Sequence, residues 1–214
     1  MDKTEGPWKV PPGYFGNSKE NIRILDNFID IKDVKKIYEF SKSIIEWDNP
    51  IKENQYDENG VCTYDANYWN NRQCPSHLIN KYSPEIHGII DSYIIKMQKY
   101  AEDYFKVKLD KRSPVIVRWF KGIEQRPHAD KQLNDGSPNP FTDYDLNALF
   151  YYNDEFDGGE LYYPDHDLMI KPRPGLAVIH PGDIYYLHGV KMVTAGERFT
   201  TPAFYSVSEL LENA

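Results

Sequence analysis

Cysteine is scarce: Cys62 and Cys74 are the only two in 214 residues. Two thiols cannot build a disulfide scaffold, and without histidines at zinc-finger spacing they do not read as a structural zinc site. Both are expected to be reduced. Basic charge is also short, with 25 Lys and Arg against 33 Asp and Glu and a net charge of -8. Nucleic-acid binding draws its affinity from clustered cations, so this composition disfavours a nucleic-acid partner. No run approaches the ~20 apolar residues of a membrane-spanning helix, and the opening MDKTEGPWKVPPGYFGN carries charge, Pro and Gly where a secretory signal needs an apolar core. The expectation is a cytoplasmic protein with no membrane partner. Internal repeats and low-complexity tracts are absent too, and nothing in the composition fixes an oligomeric state.

What is present is a core. A 40% apolar and 14% aromatic content is enough to fill one, and a chain of this length suits a single domain. Residues 1–20 are polar and proline-punctuated and read as an arm laid over that domain or as partly disordered. From Val34 through Ile37, Tyr38, Ile44 and Ile45 the apolar residues return every three or four positions, which predicts a helix ending at Asn49-Pro50. A second helix starts at Ser83, a good N-cap followed by Pro84. Ile86, Ile89, Ile90, Tyr93, Ile94, Met97, Tyr100, Ala101 and Tyr104 give it one apolar stripe, a packing face with no chemistry of its own.

After Asp110 the period shortens and Pro, Gly, Asn and Asp break the chain into short apolar pieces, as in antiparallel sheets. Val115–Phe120, Asn147–Tyr152, Glu160–Tyr163, Leu176–His180, Ile184–His188 and Phe199–Tyr205 are the predicted strands. The fold class is therefore α+β, with mainly helical support over 21–110 and a β core over 111–207 whose helices cover one sheet of a sandwich or barrel. Between the first two strands, Lys131–Asp145 is rich in Asn, Asp, Ser, Gly and Pro. A loop this long in a compact domain is usually functional, and its place right after Asp130 predicts a mobile lid.

Four of the six histidines, His128, His166, His180 and His188, lie in the strand region. In Arg126-Pro127-His128-Ala129-Asp130 the imidazole and the carboxylate are two residues apart and project on one side of an extended backbone. With a second histidine from another strand they would make the facial triad that holds non-haem Fe(II) and leaves positions open. His-x-Asp by itself is weak evidence, since a surface histidine beside a solvated carboxylate has the same pattern. His166, in a Pro164-Asp165-His166-Asp167 turn, and His180, before a turn, read as structural or solvent-facing. Gly158 and Gly159 read as a tight turn, since no helix follows to make a phosphate site.

Further motifs follow in order: Asp157-Gly158-Gly159-Glu160-Leu161 before a strand, Lys171-Pro172-Arg173-Pro174-Gly175 leading to His180-Pro181, His188-Gly189-Val190, and Gly196-Glu197-Arg198. With these the sequence resembles the iron(II)- and 2-oxoglutarate-dependent dioxygenases, in their prolyl 4-hydroxylase-like branch, over about Val115 to Tyr205. The resemblance implies a double-stranded β-helix, or jelly roll, with N-terminal helices packed on one sheet. It makes His128, Asp130 and His188 the iron ligands. Arg198, ten residues after His188, becomes the partner of the distal carboxylate of 2-oxoglutarate, a role suited to a planar guanidinium. Thr200, Tyr152 and Leu161 join Arg198 as cosubstrate-binding residues. The implied cofactors are Fe(II), 2-oxoglutarate and O2, with ascorbate as a reductant.

Some positions depart from the family pattern. Trp119 stands where many relatives have Tyr, and Phe150 where a cosubstrate-binding Tyr is common, so either a phenol hydrogen bond is missing or Tyr151 or Tyr152 supplies it. Phe204 stands where the nucleic-acid demethylase branch has a second Arg, again against a nucleic-acid substrate. The resemblance implies hydroxylation of a C–H bond of a prolyl residue in a peptide or protein. Hydroxylation of a free amino acid or other small metabolite is the alternative among enzymes, and a non-catalytic metal-binding jelly-roll sensor is the alternative outside them.

Overall fold

The computed structural model describes residues 6–49, 51–57 and 60–211. The first five residues of the expected arm and Pro50 lie outside the described residues. In chain order the elements are β1 (Arg23–Leu25), α1 (Ile31–Ser43), β2 (Gln55–Tyr56), β3 (Cys62–Tyr64), α2 (Ala66–Trp69), β4 (Gln73–Pro75), α3 (Ser76–Tyr82), α4 (Pro84–Phe105) and β5 (Val107–Lys111). Then follow β6 (Val115–Phe120), β7 (Gln125–His128), β8 (Leu146–Tyr151), β9 (Phe156–Gly158), β10 (Leu161–Tyr163), β11 (Leu168–Ile170), β12 (Ala177–Pro181), β13 (His188–Val190) and β14 (Val193–Leu210).

The strands form a larger sheet in the order β1-β12-β8-β14-β6-β4, with β5 and β9 also paired to β14, and a smaller sheet in the order β11-β10-β13-β7. All pairings are antiparallel. This is a jelly roll in which the 18-residue β14 is the spine of the larger sheet. The segment read as helical support also supplies strands, since β1 and β4 close the two edges of the larger sheet. Three-residue strands such as Gln73–Pro75 are too short to show a period, so only their pairing reveals them.

α4 is the longest helix. The Ser83 hydroxyl accepts from the Ile86 amide, Pro84 occupies the first turn, and Lys106 ends the helix in the left-handed conformation. Ile86, Ile90, Ile94, Met97 and Ala101 are its buried face. They pack with Val34 and Ile37 of α1 onto Ile116, Ala148, Phe150, Ile179, Phe199 and Ala203 of the larger sheet. The other face of that sheet looks into the roll, where Tyr151, Leu161, Tyr163, Ile170, Leu176, Val178 and Tyr186 form one cluster and Val117, Trp119, Val190 and Val193 another.

Two local expectations differ. α1 stops at Ser43, Ile44 turns extended, and Ile45 is 92% exposed; the apolar period runs past the helix because Ile44 still reaches the core. Ile184–Tyr186 is a turn of 3-10 helix rather than strand, because the Asp183 carboxylate caps it by accepting from the Tyr185 amide. The strand begins only at His188.

The segment after Asp130 is fastened at both ends. Lys131, Gln132 and Asp145 are buried, and the Asp130 and Lys131 amides both donate to the Gly182 carbonyl. Lys131 Nζ donates to the Val10 carbonyl at 2.8 Å and pairs with Asp145 at 2.5 Å. The second Asp145 oxygen accepts from the Val207 amide at 2.8 Å. The segment expected as a mobile lid is thus anchored at both ends, to the N-terminal arm and the spine strand, with Asn134 and Asp135 exposed in its outer part.

Lys131→Met leaves Asp145 buried without its cation, which typically costs about 3–5 kcal/mol, whereas apolar replacement of both partners is often neutral. Urea denaturation is expected to show that loss for Lys131→Met and recovery of most of it in Lys131→Met/Asp145→Leu.

Candidate metal centre and cosubstrate pocket

β7 and β13 pair so that His128 and His188 face each other across the ladder. Asp130 follows β7 by two residues, and the backbone bonds to Gly182 bring its carboxylate between the two imidazoles. Asp130 Oδ1 lies 3.5 Å from His128 Nε2, and Oδ2 lies 3.6 Å from His188 Nε2. Ligand atoms of the three residues all fall within 4.8 Å of one another. Two nitrogens and one carboxylate converging from one side suit a divalent ion that keeps open positions, as in non-haem Fe(II) centres.

The ring orientations are fixed from behind. His128 Nδ1 bonds the Arg126 carbonyl at 3.0 Å and His188 Nδ1 bonds the Tyr186 carbonyl at 3.1 Å. Each Nδ1 thus carries its proton and each Nε2 keeps its lone pair, the arrangement a metal-binding imidazole needs. The Gln125 amide nitrogen is 3.1 Å from the His128 Nε2 and donates to it. The Asn147 amide donates to Asp130 Oδ2 at 2.6 Å. Two glycines make room. A Cβ at Gly182 would collide with the Tyr144 carbonyl, and one at Gly189 would sit 2.6 Å from the Gln125 carbonyl oxygen.

The charges are arranged accordingly. Burial alone would raise the Asp130 pKa, but the His188, His128 and His180 rings around it hold the carboxyl well below the usual range. Burial pushes His188 down to about 3 in spite of Asp130. Burial acts the same way on His128, but there the adjacent Asp130 carboxylate prevails and its pKa is raised.

A second set of polar atoms lies deeper in the roll. Arg198 is 1% exposed, and none of its three guanidinium nitrogens has a hydrogen-bond partner among the described residues. Its guanidinium carbon is 4.9 Å from the Trp119 ring centre and 5.1 Å from that of Tyr151. The Tyr151 hydroxyl is likewise buried without a partner. Thr200, paired with Tyr151 in the ladder, accepts a 3.3 Å hydrogen bond from the Trp119 indole on its Oγ1, which leaves its own proton to donate. Leu161 is fully buried in the apolar cluster that contains Tyr151. A buried guanidinium with every donor free, beside two hydroxyls, suits a carboxylate ligand.

The residues named from sequence therefore separate. His128, Asp130 and His188 come together, and Arg198, Thr200 and Leu161 line the roll. Tyr152 requires correction: alternation along β8 and just past it turns it to the helix side, packed with Phe150 and Phe199, and sends Tyr151 inward. His180 is buried within the roll, its ring 4.4 Å from that of His188, and lies outside the ligand group. His166 bonds the Tyr185 carbonyl. Asn147 and Gln125 carry no sequence signal, because their roles depend on register alone.

No protein-family model matches the chain. Mouse prolyl 3-hydroxylase 2 is 34% identical over 95 residues, covering 39% of this chain, and human prolyl 3-hydroxylase 1 is 32% identical over 75 residues, covering 33%. The matched part is only 14% and 10% of those proteins. Among solved structures, a viral collagen prolyl hydroxylase from Paramecium bursaria Chlorella virus-1, in its 2-oxoglutarate complex, superposes with a TM-score of 0.61 at 16% identity, over 89% of this chain and 98% of that one. A Trichoplax adhaerens prolyl hydroxylase bound to a hypoxia inducible factor peptide fragment gives 0.62 at 16% identity, over 96% of both chains. The fold is thus the one these two prolyl hydroxylases share, and the sequence likeness over part of the chain is to prolyl 3-hydroxylases.

His128→Ala, Asp130→Ala and His188→Ala each remove one of three converging ligands, and Mn(II) titration should find binding lost in all three with circular dichroism unchanged. Asn147→Ala should weaken binding about 10–100-fold, the usual cost of losing a group that orients a ligand. Parent-like Mn(II) affinity in His188→Ala would remove it from the site.

Proposed function

We propose that this protein is an Fe(II)- and 2-oxoglutarate-dependent dioxygenase that hydroxylates a prolyl residue of a peptide or protein. The observation that carries the reading is the juxtaposition, inside one roll, of a two-histidine, one-carboxylate cluster with an arginine whose every donor is free. When bound, Fe(II), 2-oxoglutarate and O2 supply the oxidising chemistry, giving succinate, CO2 and one oxygen atom inserted into a C–H bond, with ascorbate keeping the iron reduced.

His128, Asp130 and His188 would hold the iron, their lone pairs set by the carbonyls of Arg126 and Tyr186 and by Asn147. Gln125 gives up its bond to His128 when an ion takes that lone pair. Arg198 takes the distal carboxylate of 2-oxoglutarate, with the hydroxyls of Tyr151 and Thr200 as further donors. Leu161, Trp119 and Val190 wall the pocket and keep water from it. Dry surroundings strengthen the guanidinium–carboxylate attraction.

Two observations favour a peptidyl substrate. The curated relatives are prolyl 3-hydroxylases, and one structural neighbour is a prolyl hydroxylase holding a peptide. Half-buried aromatic rings also run in a row, Tyr64 to Phe141 to Tyr144 to Phe204, with centroid separations of 6.0, 4.9 and 4.2 Å. The Tyr144 carbonyl lies against Gly182, whose own carbonyl accepts from the Asp130 amide, so the row runs beside the metal cluster and offers the edges of its stacked rings to an extended proline-containing chain. The net charge of -8 favours neutral or basic peptides over acidic ones.

Arg198→Ala should weaken 2-oxoglutarate binding by about 2–5 kcal/mol, as for other truncated buried charge pairs, with metal affinity unchanged. Purified protein with Fe(II) is expected to turn 2-oxoglutarate into succinate faster when proline-containing peptides are added, and mass spectrometry should place one added oxygen on proline. Oxidation of free amino acids with every peptide untouched would replace the peptidyl reading by the small-metabolite one. No succinate under any condition would overturn the enzyme.

A further inference from the structure

Arg72 is a second buried cation, and the proposed reaction gives it no part. It lies between α2 and β4, is 1% exposed, and forms no ion pair among the described residues. The rings of Tyr68, Trp69 and Trp119 surround it, with centres 4.4, 4.7 and 4.4 Å from its guanidinium carbon. Its Nη1 donates to the Tyr68 carbonyl at 3.1 Å and its Nε to the Arg118 carbonyl at 3.4 Å, but Nη2 has no partner among the described residues. The Arg118 amide donates back to the Arg72 carbonyl, which ties Arg72 to the strand carrying Trp119.

The indole of Trp119 thus has two guanidiniums within 5 Å of its centre, Arg72 at 4.4 Å and Arg198 at 4.9 Å. Like charges this near repel, and their mutual effect is felt at Arg198. Aromatic faces offset part of that cost, yet a methionine or leucine in an aromatic box would avoid it altogether. The expense becomes useful when an anion with more than one charge enters beside Arg198, because the field of both cations then acts on it. Arg72 also fixes the plane of Trp119, whose indole N–H sets the Thr200 hydroxyl.

We propose that Arg72 is a positioning residue for the acidic cosubstrate: it holds Trp119 against Arg198 and adds a second positive charge there, so that the pocket selects a dicarboxylic over a monocarboxylic 2-oxo acid. This rests on the reading of Arg198 as the partner of the distal carboxylate.

The test is equilibrium binding of 2-oxoglutarate and of 2-oxopentanoate, which lacks the distal carboxylate, to the Mn(II)-loaded protein. Arg72→Met should weaken 2-oxoglutarate about tenfold, the order of one charge interaction at intermediate dielectric. Affinity for 2-oxopentanoate and for Mn(II) should stay within about twofold, and Arg72→Lys should restore most of the preference. If Arg72→Met does not fold, Arg72→Gln, which keeps a donor for the Tyr68 carbonyl, gives the same measurement. Equal loss for both oxo acids, or an unchanged ratio, would make Arg72 a packing residue and overturn the proposal. Arg198→Ala run alongside separates the two readings: if it leaves the ratio unchanged, the carboxylate role of Arg198 itself fails.

Discussion

Alternation along the strands of the larger sheet is the constraint on which the rest of this structure depends. Successive side chains of a strand point to opposite faces, and here one face meets helices while the other closes a polar roll. In β14, Phe199, Ala203 and Tyr205 go to the helices, and Arg198 and Thr200 go inward. In β8, Ala148 and Phe150 go to the helices, and Asn147 and Leu149 go inward with Tyr151. A slip of one residue would turn Arg198 to the helices and Phe199 into the roll in β14, or Tyr151 to the helices and Phe150 into the roll in β8, so burial of the apolar half enforces the polar half.

The same alternation marks where the sequence was legible. The long α4 stripe and the short segments after Asp110 are strong local patterns and carried the α+β class, whereas the spaced motifs around His128, His188 and Arg198 carried a family resemblance, and with it the jelly roll and the residues that meet in it. Tyr151 and Tyr152 are a different case. Adjacent tyrosines are equivalent by composition, and only register with Thr200 decides which one faces Arg198. Short strands such as β1 and β4 have no period to read, and Arg72 is an ordinary arginine until folding sets three aromatic rings around it. The anchoring of the segment after Asp130 was not legible either, because its turn-rich composition says nothing of the buried pair between Lys131 and Asp145.

Charge is partitioned inside the roll. Asp130 draws its stabilisation from the imidazoles around it, and Arg198 is held among aromatic faces, with neither the chief influence on the other. Keeping them apart has a chemical consequence. Had Arg198 paired with Asp130, the guanidinium would be satisfied and the carboxylate less available to a cation. Separation leaves one locus that attracts a metal ion and another that attracts a carboxylate, each with its bonding capacity unspent.

That availability matters only if the ligands are already in place, and the position of Asp130 shows how the fold arranges it. The residue follows the end of a strand, where a carboxylate would ordinarily move with its loop. Its amide and that of Lys131 are instead bonded to Gly182, its carbonyl accepts from the Asn139 side chain at 2.8 Å, and its outer oxygen from Asn147. Gly182 can come so close because any Cβ would strike the Tyr144 carbonyl. Lys131, next in sequence, is buried between the arm, Asp145 and thereby the spine strand. A metal ion arriving here would not have to order the chain before binding it. The ordering cost has been met by contacts made in folding, which leaves more of the ion's binding energy for holding the cluster at a geometry useful to chemistry.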